Sequence, residues 1–125
     1  MYNILLIGIG GFIGSIARYL VGISVHRYLD IYWFPFGTLA VNVIGCFLIG
    51  LLGGLFEFKQ ITHPEIRFFI LTGILGGFTT FSAFGYETFN LFKDGYILLS
   101  ILNSILQLFL GLIAVWVGYL LSKLF

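Results

Sequence analysis

Charged residues and cysteines are scarce in this chain, and each scarcity excludes a class of protein. Only 9% of the 125 residues are charged, whereas 60% are hydrophobic. A soluble domain of this size cannot bury that much apolar surface, so the composition predicts a polytopic membrane protein. The single cysteine, Cys46, excludes an intrachain disulfide. We interpret it as a small packing residue rather than a reactive thiol.

The sequence also lacks clusters of catalytic or metal-ligating side chains. His26 and His63 lie far apart, and neither has carboxylates or cysteines at the spacing of a transition-metal site. There is no evident pairing of a nucleophile with a base. The longest polar connection, residues 57–65, is too short to hold a nucleotide-binding or catalytic domain. We therefore expect no enzymatic activity and no nucleic-acid partner.

Four long apolar stretches are present instead, at about residues 3–25, 36–56, 66–92 and 97–122. Each is close to or above the roughly 20 residues that a helix needs to cross a bilayer. The sequence thus predicts an all-α protein with one transmembrane domain, residues 1–125, and both termini on the same side. We expect it to be a multi-pass protein of the cell membrane, either plasma or inner membrane.

Residues 73–84 interrupt the third apolar stretch with three glycines, two threonines and a serine. A bilayer interior offers no water to an open backbone, so such an interruption is tolerated only where protein or a wet cavity surrounds it. Carbonyls at breaks of this kind commonly bind cations, and half-helix N-termini attract anions. One interpretation is an ion-handling site. The other is close helix packing around small residues, as the pairs Gly10/Gly14, Gly50/Gly54 and Gly73/Gly77 also suggest.

The few basic residues are almost evenly divided between the two sides of the predicted bundle. One side carries Lys59, Arg67 and Lys123, and the other carries Arg27 and Lys93, with Arg18 inside the first span near that second side. Orientation in the membrane normally follows a clear excess of Lys and Arg on one side. The near balance is either a weak signal or a sign that the chain inserts both ways round. Insertion both ways would allow an antiparallel homodimer.

Two polar side chains lie inside the first and second spans. Arg18 either extends its guanidinium to the interface or forms an electropositive vestibule that concentrates anions. Asn42 lies deep in the second span, where its amide either bonds a neighbouring helix or donates to a passing anion.

Helical spacing places further candidate residues on shared faces. A polar stripe in the fourth span favours a conduit over simple packing, and it comprises Ser100, Asn103, Ser104, Gln107 and Gly111. We expect its first two members to lie nearer a vestibule. In the third span, Phe81 and Phe84 are neighbours at i and i+3. They are either packing residues or rings whose positive edges approach a small anion.

Three motifs in order resemble the small fluoride channels of the Fluc/CrcB type. They occupy residues 10–19, 37–45 and 73–84, and the resemblance covers essentially the whole chain. Two positions depart from the family's usual pattern: Ala83 stands where Thr is common, and Gln107 stands where Ser is frequent. These departures concern side-chain details of a pathway rather than its existence.

The resemblance implies an antiparallel, dual-topology homodimer with four helices per subunit, the third broken within the membrane. It also implies two fluoride paths and one structural Na⁺ at the dimer centre. By motif position, the backbone carbonyls of Gly76 and Thr79 would hold that ion.

The fluoride path implied by the same motifs includes Asn42, Phe81 and Phe84, with Thr80 and Ser82 as hydroxyl donors. Gln107 lies along it on the fourth span, and Arg18 lies in a vestibule.

The implied function is a fluoride-selective channel that exports fluoride passively from the cytoplasm and so confers fluoride resistance. Its partners are a second copy of the chain, fluoride and membrane lipid. One alternative is a dual-topology small-molecule or drug exporter, but this would need a carboxylate at mid-span, and Glu87 lies too near the end of its span. Another alternative is an accessory membrane subunit with no transport of its own.

Overall fold

The computed structural model describes residues 1–60 and 63–125, and these residues are almost entirely helical. Helix α1 is Tyr2–Leu29, α2 is Phe36–Phe58, α4 is Phe81–Lys93 and α5 is Ile97–Ser122. Between α2 and α4 lies α3, which we define as the continuous helical run of residues 64–78. It consists of an α-helical turn, Pro64–Arg67, a π-helical stretch, Phe68–Leu75, and a final turn, Gly76–Phe78.

Four helical segments are long and apolar enough to cross a membrane: Tyr2–Leu29, Phe36–Phe58, Pro64–Lys93 and Ile97–Ser122. The third of these includes both α3 and α4. Many of their large apolar side chains are exposed in the single chain, as is typical of surfaces that face lipid. The prediction of an all-α chain with four membrane-spanning helices is therefore confirmed.

Local backbone signals end and start these helices. Asp30 adopts the left-handed conformation (φ 53°) after α1, and its N–H donates to His26 O. Pro35 precedes α2, and Pro64 occupies the first turn of α3, where a missing N–H costs nothing. Gly95, with φ 88°, forms the turn into α5, as Tyr96 N–H donates back to Leu91 O over 2.8 Å.

The helices pack in two pairs, α1 against α3 and α2 against α5, and small residues form both contacts. A Cβ atom built on Gly10 would lie 2.6 Å from Phe69 O, and one on Gly77 would lie 2.6 Å from Gly11 O. On α2, a Cβ atom on Gly50 would collide with the backbone of Val115. Because such backbones approach closely only without side chains between them, the predicted glycine packing faces are confirmed.

Candidate functional site

The helical backbone is interrupted at two residues between α3 and α4. Thr79 (φ −78°, ψ 156°) and Thr80 (φ −149°, ψ 114°) have extended conformations. In an uninterrupted helix, each backbone N–H donates to the carbonyl four residues earlier. Two extended residues break that pattern, so the polar groups around them need other partners.

Asn42, which is 38 positions earlier in the chain, provides those partners. Its Oδ1 accepts from Thr80 N–H over 2.9 Å, and its Nδ2 donates to Thr80 O over 3.1 Å. One amide side chain thus satisfies both backbone groups of a single residue. On the other side, Thr80 caps α4, because its Oγ1 accepts from Ala83 N–H over 3.2 Å.

These two bonds redirect the N–H groups that would otherwise satisfy two carbonyls. In a regular helix, Thr80 N–H would donate to Gly76 O, and Ala83 N–H would donate to Thr79 O. Both N–H groups donate to side chains here. The carbonyls of Gly76 and Thr79 are therefore released from these helical bonds. Arg18 Nη1 approaches Thr79 O at 3.5 Å.

A cavity of about 650 Å³ lies beside the interruption, between α2, α3, α4 and α5. Its polar lining comes from Asn42, Thr79, Thr80, Ser104 and Gln107, and its aromatic lining comes from Phe81 and Phe84. The two rings meet edge to face, with their centroids 5.4 Å apart. Phe81 is 82% exposed in the single chain. No carboxylate belongs to this lining among the described residues.

A second cavity, of about 430 Å³, lies on the α1 side of the interruption. Its lining includes Arg18, Tyr19, His26 and Thr38. Among the residues that the structure describes, only Thr80 lines both cavities. The basic side chain predicted for a vestibule and the residues predicted for a path therefore lie on either side of Thr80.

Gln107 completes the amide arrangement from α5. Its Oε1 accepts from Asn42 Nδ2 over 3.0 Å. Its Nε2 is buried and has no hydrogen-bond partner within residues 1–60 and 63–125. A buried amide nitrogen without a partner is costly, by about 1–3 kcal/mol, so an acceptor beside this atom would be stabilising.

The remaining predicted residues separate into two groups. Ser82 Oγ lies 3.4 Å from Thr80 Oγ1 near the cavity. Ser100 and Asn103 do not lie towards a vestibule as expected. Both are buried against α4, where Ser100 Oγ donates to Thr88 O and Asn103 Nδ2 donates to Thr88 Oγ1. The polar stripe of α5 thus divides between a packing contact and the cavity lining.

Sequence reasoning did not identify the partner of Glu87. Thr38 Oγ1 donates to Glu87 Oε1 over 2.6 Å, joining α2 to α4. Glu87 Oε2 is buried and has no partner among the described residues. Thr38 lies within the second motif segment and Glu87 lies just after the third, but 49 positions separate them, so spacing alone could not reveal their contact.

Comparisons with known proteins point to one family. The family model described as CrcB-like protein, Camphor Resistance (CrcB), matches residues 5–119. The Fluoride-specific ion channel FluC of Flavobacterium psychrophilum is 41% identical over 123 residues, covering 98% of both chains. The proteins of the same name from Chlorobaculum tepidum (46%, covering 99% of this chain and 97% of the relative) and Agrobacterium fabrum (48%, covering 90% and 94%) are also similar. An ion channel is not a class of enzyme.

Proposed function

The chain belongs to the CrcB-like family, and we propose that it is a fluoride-specific ion channel. The observation that carries the proposal is the cavity beside Thr79 and Thr80, where amide, hydroxyl and aromatic side chains line a space without carboxylates among the described residues. Such a lining suits a small anion. Relatives of nearly the same length bear the corresponding name.

The proposed path uses donors in place of water. Fluoride is small and holds its hydration shell tightly, so a pore must replace that shell with N–H, O–H and polarised ring edges. The residues proposed to line the path are Asn42, Thr80, Phe81, Ser82, Phe84 and Gln107. Arg18 would attract the anion into the second cavity, and Thr80 lies between that cavity and the first.

Transport would be passive. Hydrogen fluoride crosses membranes and dissociates in a near-neutral cytoplasm, which traps the anion inside. An inside-negative potential then drives fluoride out, with about 2.3 kcal/mol per elementary charge for each 100 mV. A channel in the plasma or inner membrane would thus lower the cellular fluoride concentration without ATP or proton coupling.

We further propose that two copies assemble as an antiparallel homodimer around one Na⁺, with the third helix interrupted within the membrane. The carbonyls of Gly76 and Thr79, released from helical bonding, form a ligand set of oxygen atoms that suits a hard cation. Two copies would supply four such oxygens. The bound ion would neutralise carbonyl dipoles that otherwise repel one another. In one chain, Arg18 Nη1 donates to Thr79 O over 3.5 Å, so the bound ion would compete with this contact.

The experiment that tests the function is fluoride efflux from liposomes that contain only this chain. We expect fluoride-selective efflux that depends on the membrane potential and persists without a proton gradient. Phe109→Ile, on the exposed surface of α5 and outside the cavity lining, is a matched control and should leave efflux unchanged. Drug transport coupled to protons would favour the exporter, and an absence of any transport would favour an accessory subunit. Either result would overturn the proposal.

A further inference from the structure

We propose that His26 is a second cationic residue on the entry route of the anion, and that it adds its charge to that of Arg18 when its imidazole is protonated. This inference rests on the proposed function and deepens it, because it names a residue that sets how readily fluoride enters the second cavity. His26 lies outside the three motifs that resemble the channel family, residues 10–19, 37–45 and 73–84.

His26 lies on the same face of α1 as Arg18. The two residues are eight positions apart with Gly22 midway, and residues at this spacing share one side of a helix. All three line the second cavity, of about 430 Å³. A Cβ atom on Gly22 would meet nothing within 4 Å, so the space between the two basic side chains is open.

His26 also lines a third cavity, of about 600 Å³, between residues 30–35 and the ends of α4 and α5. Tyr32 lines the second and third cavities too, and its ring stacks on the imidazole with centroids 6.0 Å apart. Trp33 and Tyr96, aromatic residues of the kind that mark the membrane interface, line the third cavity as well. The imidazole therefore lies between the second cavity and the interfacial end of the bundle, from which an anion would enter.

The hydrogen bond of His26 determines which ring nitrogen gains the proton. Nδ1 lies 3.3 Å from Ile31 O, and a carbonyl oxygen can only accept, so Nδ1 keeps its hydrogen in both charge states. Nε2 is therefore the titrating atom. It faces Gly37 of α2, where an added Cβ atom would lie 2.7 Å from it. Protonation thus adds a hydrogen on the α2 side of the ring and a positive charge to a side chain that lines the second cavity.

Charged side chains on the neighbouring elements act on the charge of His26 in both directions. Glu87 on α4 attracts it, and Asp94, just after α4, lines the third cavity and does the same. Arg18 and the adjacent Arg27 on α1 repel it. The end of α1 favours a cation, since His26 lies in the last turn, where the helix dipole is negative.

The remaining neighbours are uncharged or lie at helix ends. Asp30 follows α1 and attracts a cation, as does the face of the Tyr32 ring. The first turn of α2, which includes Gly37, carries partial positive charge and opposes it. The other titratable groups that line the second and third cavities are Tyr19 and Tyr96.

Imidazole is the side chain that ordinarily changes its charge between about pH 5 and 8. An anion in the second cavity would join the groups that favour the charged form. Protonation of His26 and entry of the anion should therefore promote each other, because the coupling between two bound species is reciprocal.

The expected size of the effect follows from Coulomb's law. An anion beside Gly22 would lie about 6 Å along α1 from each basic residue, since a helix rises about 1.5 Å per residue. In a wet cavity, a unit charge at that distance changes the binding of an anion by about two- to threefold. High salt should remove the effect, because the screening length falls to about 3 Å at 1 M.

The test is fluoride current through the full chain in planar lipid bilayers, with both sides at about pH 7.5 or about pH 5.5. Neutral HF carries no current, so the recording measures the ion alone. With fluoride below saturation and at low ionic strength, we expect acidification to raise the wild-type conductance about two- to threefold. The two pH values should give similar conductance at saturating fluoride, or in about 1 M of a salt that does not permeate.

Two variants of His26 and one control assign the response. His26→Asn keeps an N–H for Ile31 O but cannot become charged, so its conductance should not depend on pH. His26→Lys is charged at both pH values and should match the acidified wild type at both. His63→Asn removes the other histidine of the sequence, which lines neither the second nor the third cavity, and should keep the full response.

Four results would overturn the inference in a chain that conducts fluoride. The wild-type conductance could be independent of pH, or His63→Asn could lose the response. The response could persist in His26→Asn, which would assign it to another group such as Glu87. It could also persist unchanged at high salt, which would indicate a structural change rather than long-range attraction.

If His26→Asn did not assemble, His26→Lys would decide, because a pH response in that variant would equally overturn the inference. A wild-type chain that conducts no fluoride would instead refute the proposed function, so the two failures are distinguishable.

Discussion

The contact between α2 and α5 at Gly50 should not tolerate even one added methyl group. A Cβ atom at this position would lie 2.9 Å from Val115 C and 3.0 Å from Val115 Cα, and closer still to the carbonyl oxygen. These atoms belong to a helical backbone and cannot rotate away. Since ordinary contact begins near 3.4 Å, Gly50→Ala requires the two helices to separate by about 0.5 Å or more.

The magnitude follows from two opposing effects. Overpacking costs about 1–3 kcal/mol, while alanine gains about 1 kcal/mol over glycine in helix propensity. We therefore expect Gly50→Ala to lower the free energy of unfolding by up to about 2 kcal/mol, and to be about 1–3 kcal/mol less stable than a variant with the same propensity gain and no collision. Gly53→Ala on the same helix is the matched control, because nothing lies within 4 Å of its added Cβ atom. That variant should be neutral or more stable by up to about 1 kcal/mol.

The assay is reversible unfolding in mixed detergent micelles, followed by fluoride efflux from liposomes. Asn42 lies about two turns from Gly50 on α2, so separation of α2 from α5 should also stretch its 3.0 Å bond to Gln107. Gly50→Ala should consequently lose flux as well as stability. Equal stability of Gly50→Ala and Gly53→Ala would refute the reasoning, because the close backbone contact would then have no energetic consequence.

Three further predictions concern the path, the topology and the cation. Phe81→Ile and Phe84→Ile should each lower fluoride flux by roughly tenfold without preventing assembly, since about 1.4 kcal/mol of ring-edge stabilisation corresponds to that factor. Wild-type flux in both variants would show that the two rings have only a packing role. Lysines added near the termini, or near Arg27, should bias insertion in opposite directions, and each biased form should conduct only when both are co-expressed. A single fixed orientation of the unmodified chain, seen by labelling introduced cysteines from each side, would contradict this. Prolonged replacement of Na⁺ by a large organic cation should silence the channel or loosen the dimer, because a ligand that binds only the assembled state stabilises it. If flux and assembly did not change, the proposal that Gly76 and Thr79 bind a cation would be wrong.

Apolar runs and glycine spacing were sufficient to predict the helical architecture. A stretch of about 20 apolar residues crosses a bilayer whatever its neighbours are, so the four spans follow from local sequence. Glycines spaced four apart likewise share a helix face, and Gly10 and Gly77 do contact α3 and α1 as that spacing suggests. The π-helical stretch Phe68–Leu75 had no such signal, because nothing in its composition distinguishes it from an ordinary apolar helix.

The side-chain partners at the site could not be predicted from spacing. The bonds of Asn42 to Thr80 and to Gln107 join residues 38 and 65 positions apart. The burial of Asn103 against Thr88 depends on how α4 packs on α5. The residue type limited the roles that each amide side chain could have, since membrane amides bond either a neighbouring helix or a ligand. Only the packing of α2 against α4 and α5 brings Asn42 to Thr80 and Gln107.

The extended backbone at Thr79 and Thr80 would allow one interruption to serve both of the proposed ions, which have opposite charges. In an extended segment, successive carbonyls point to opposite sides. Thr79 O accordingly faces Arg18 on α1, whereas Thr80 O faces Asn42 on α2. Thr79 O, one of the two carbonyls proposed for the cation, therefore points away from Asn42. In a continuous helix these carbonyls would be parallel and would accept helical hydrogen bonds. Neither the proposed oxygen ligands nor the bonds between Asn42 and the Thr80 backbone could then form.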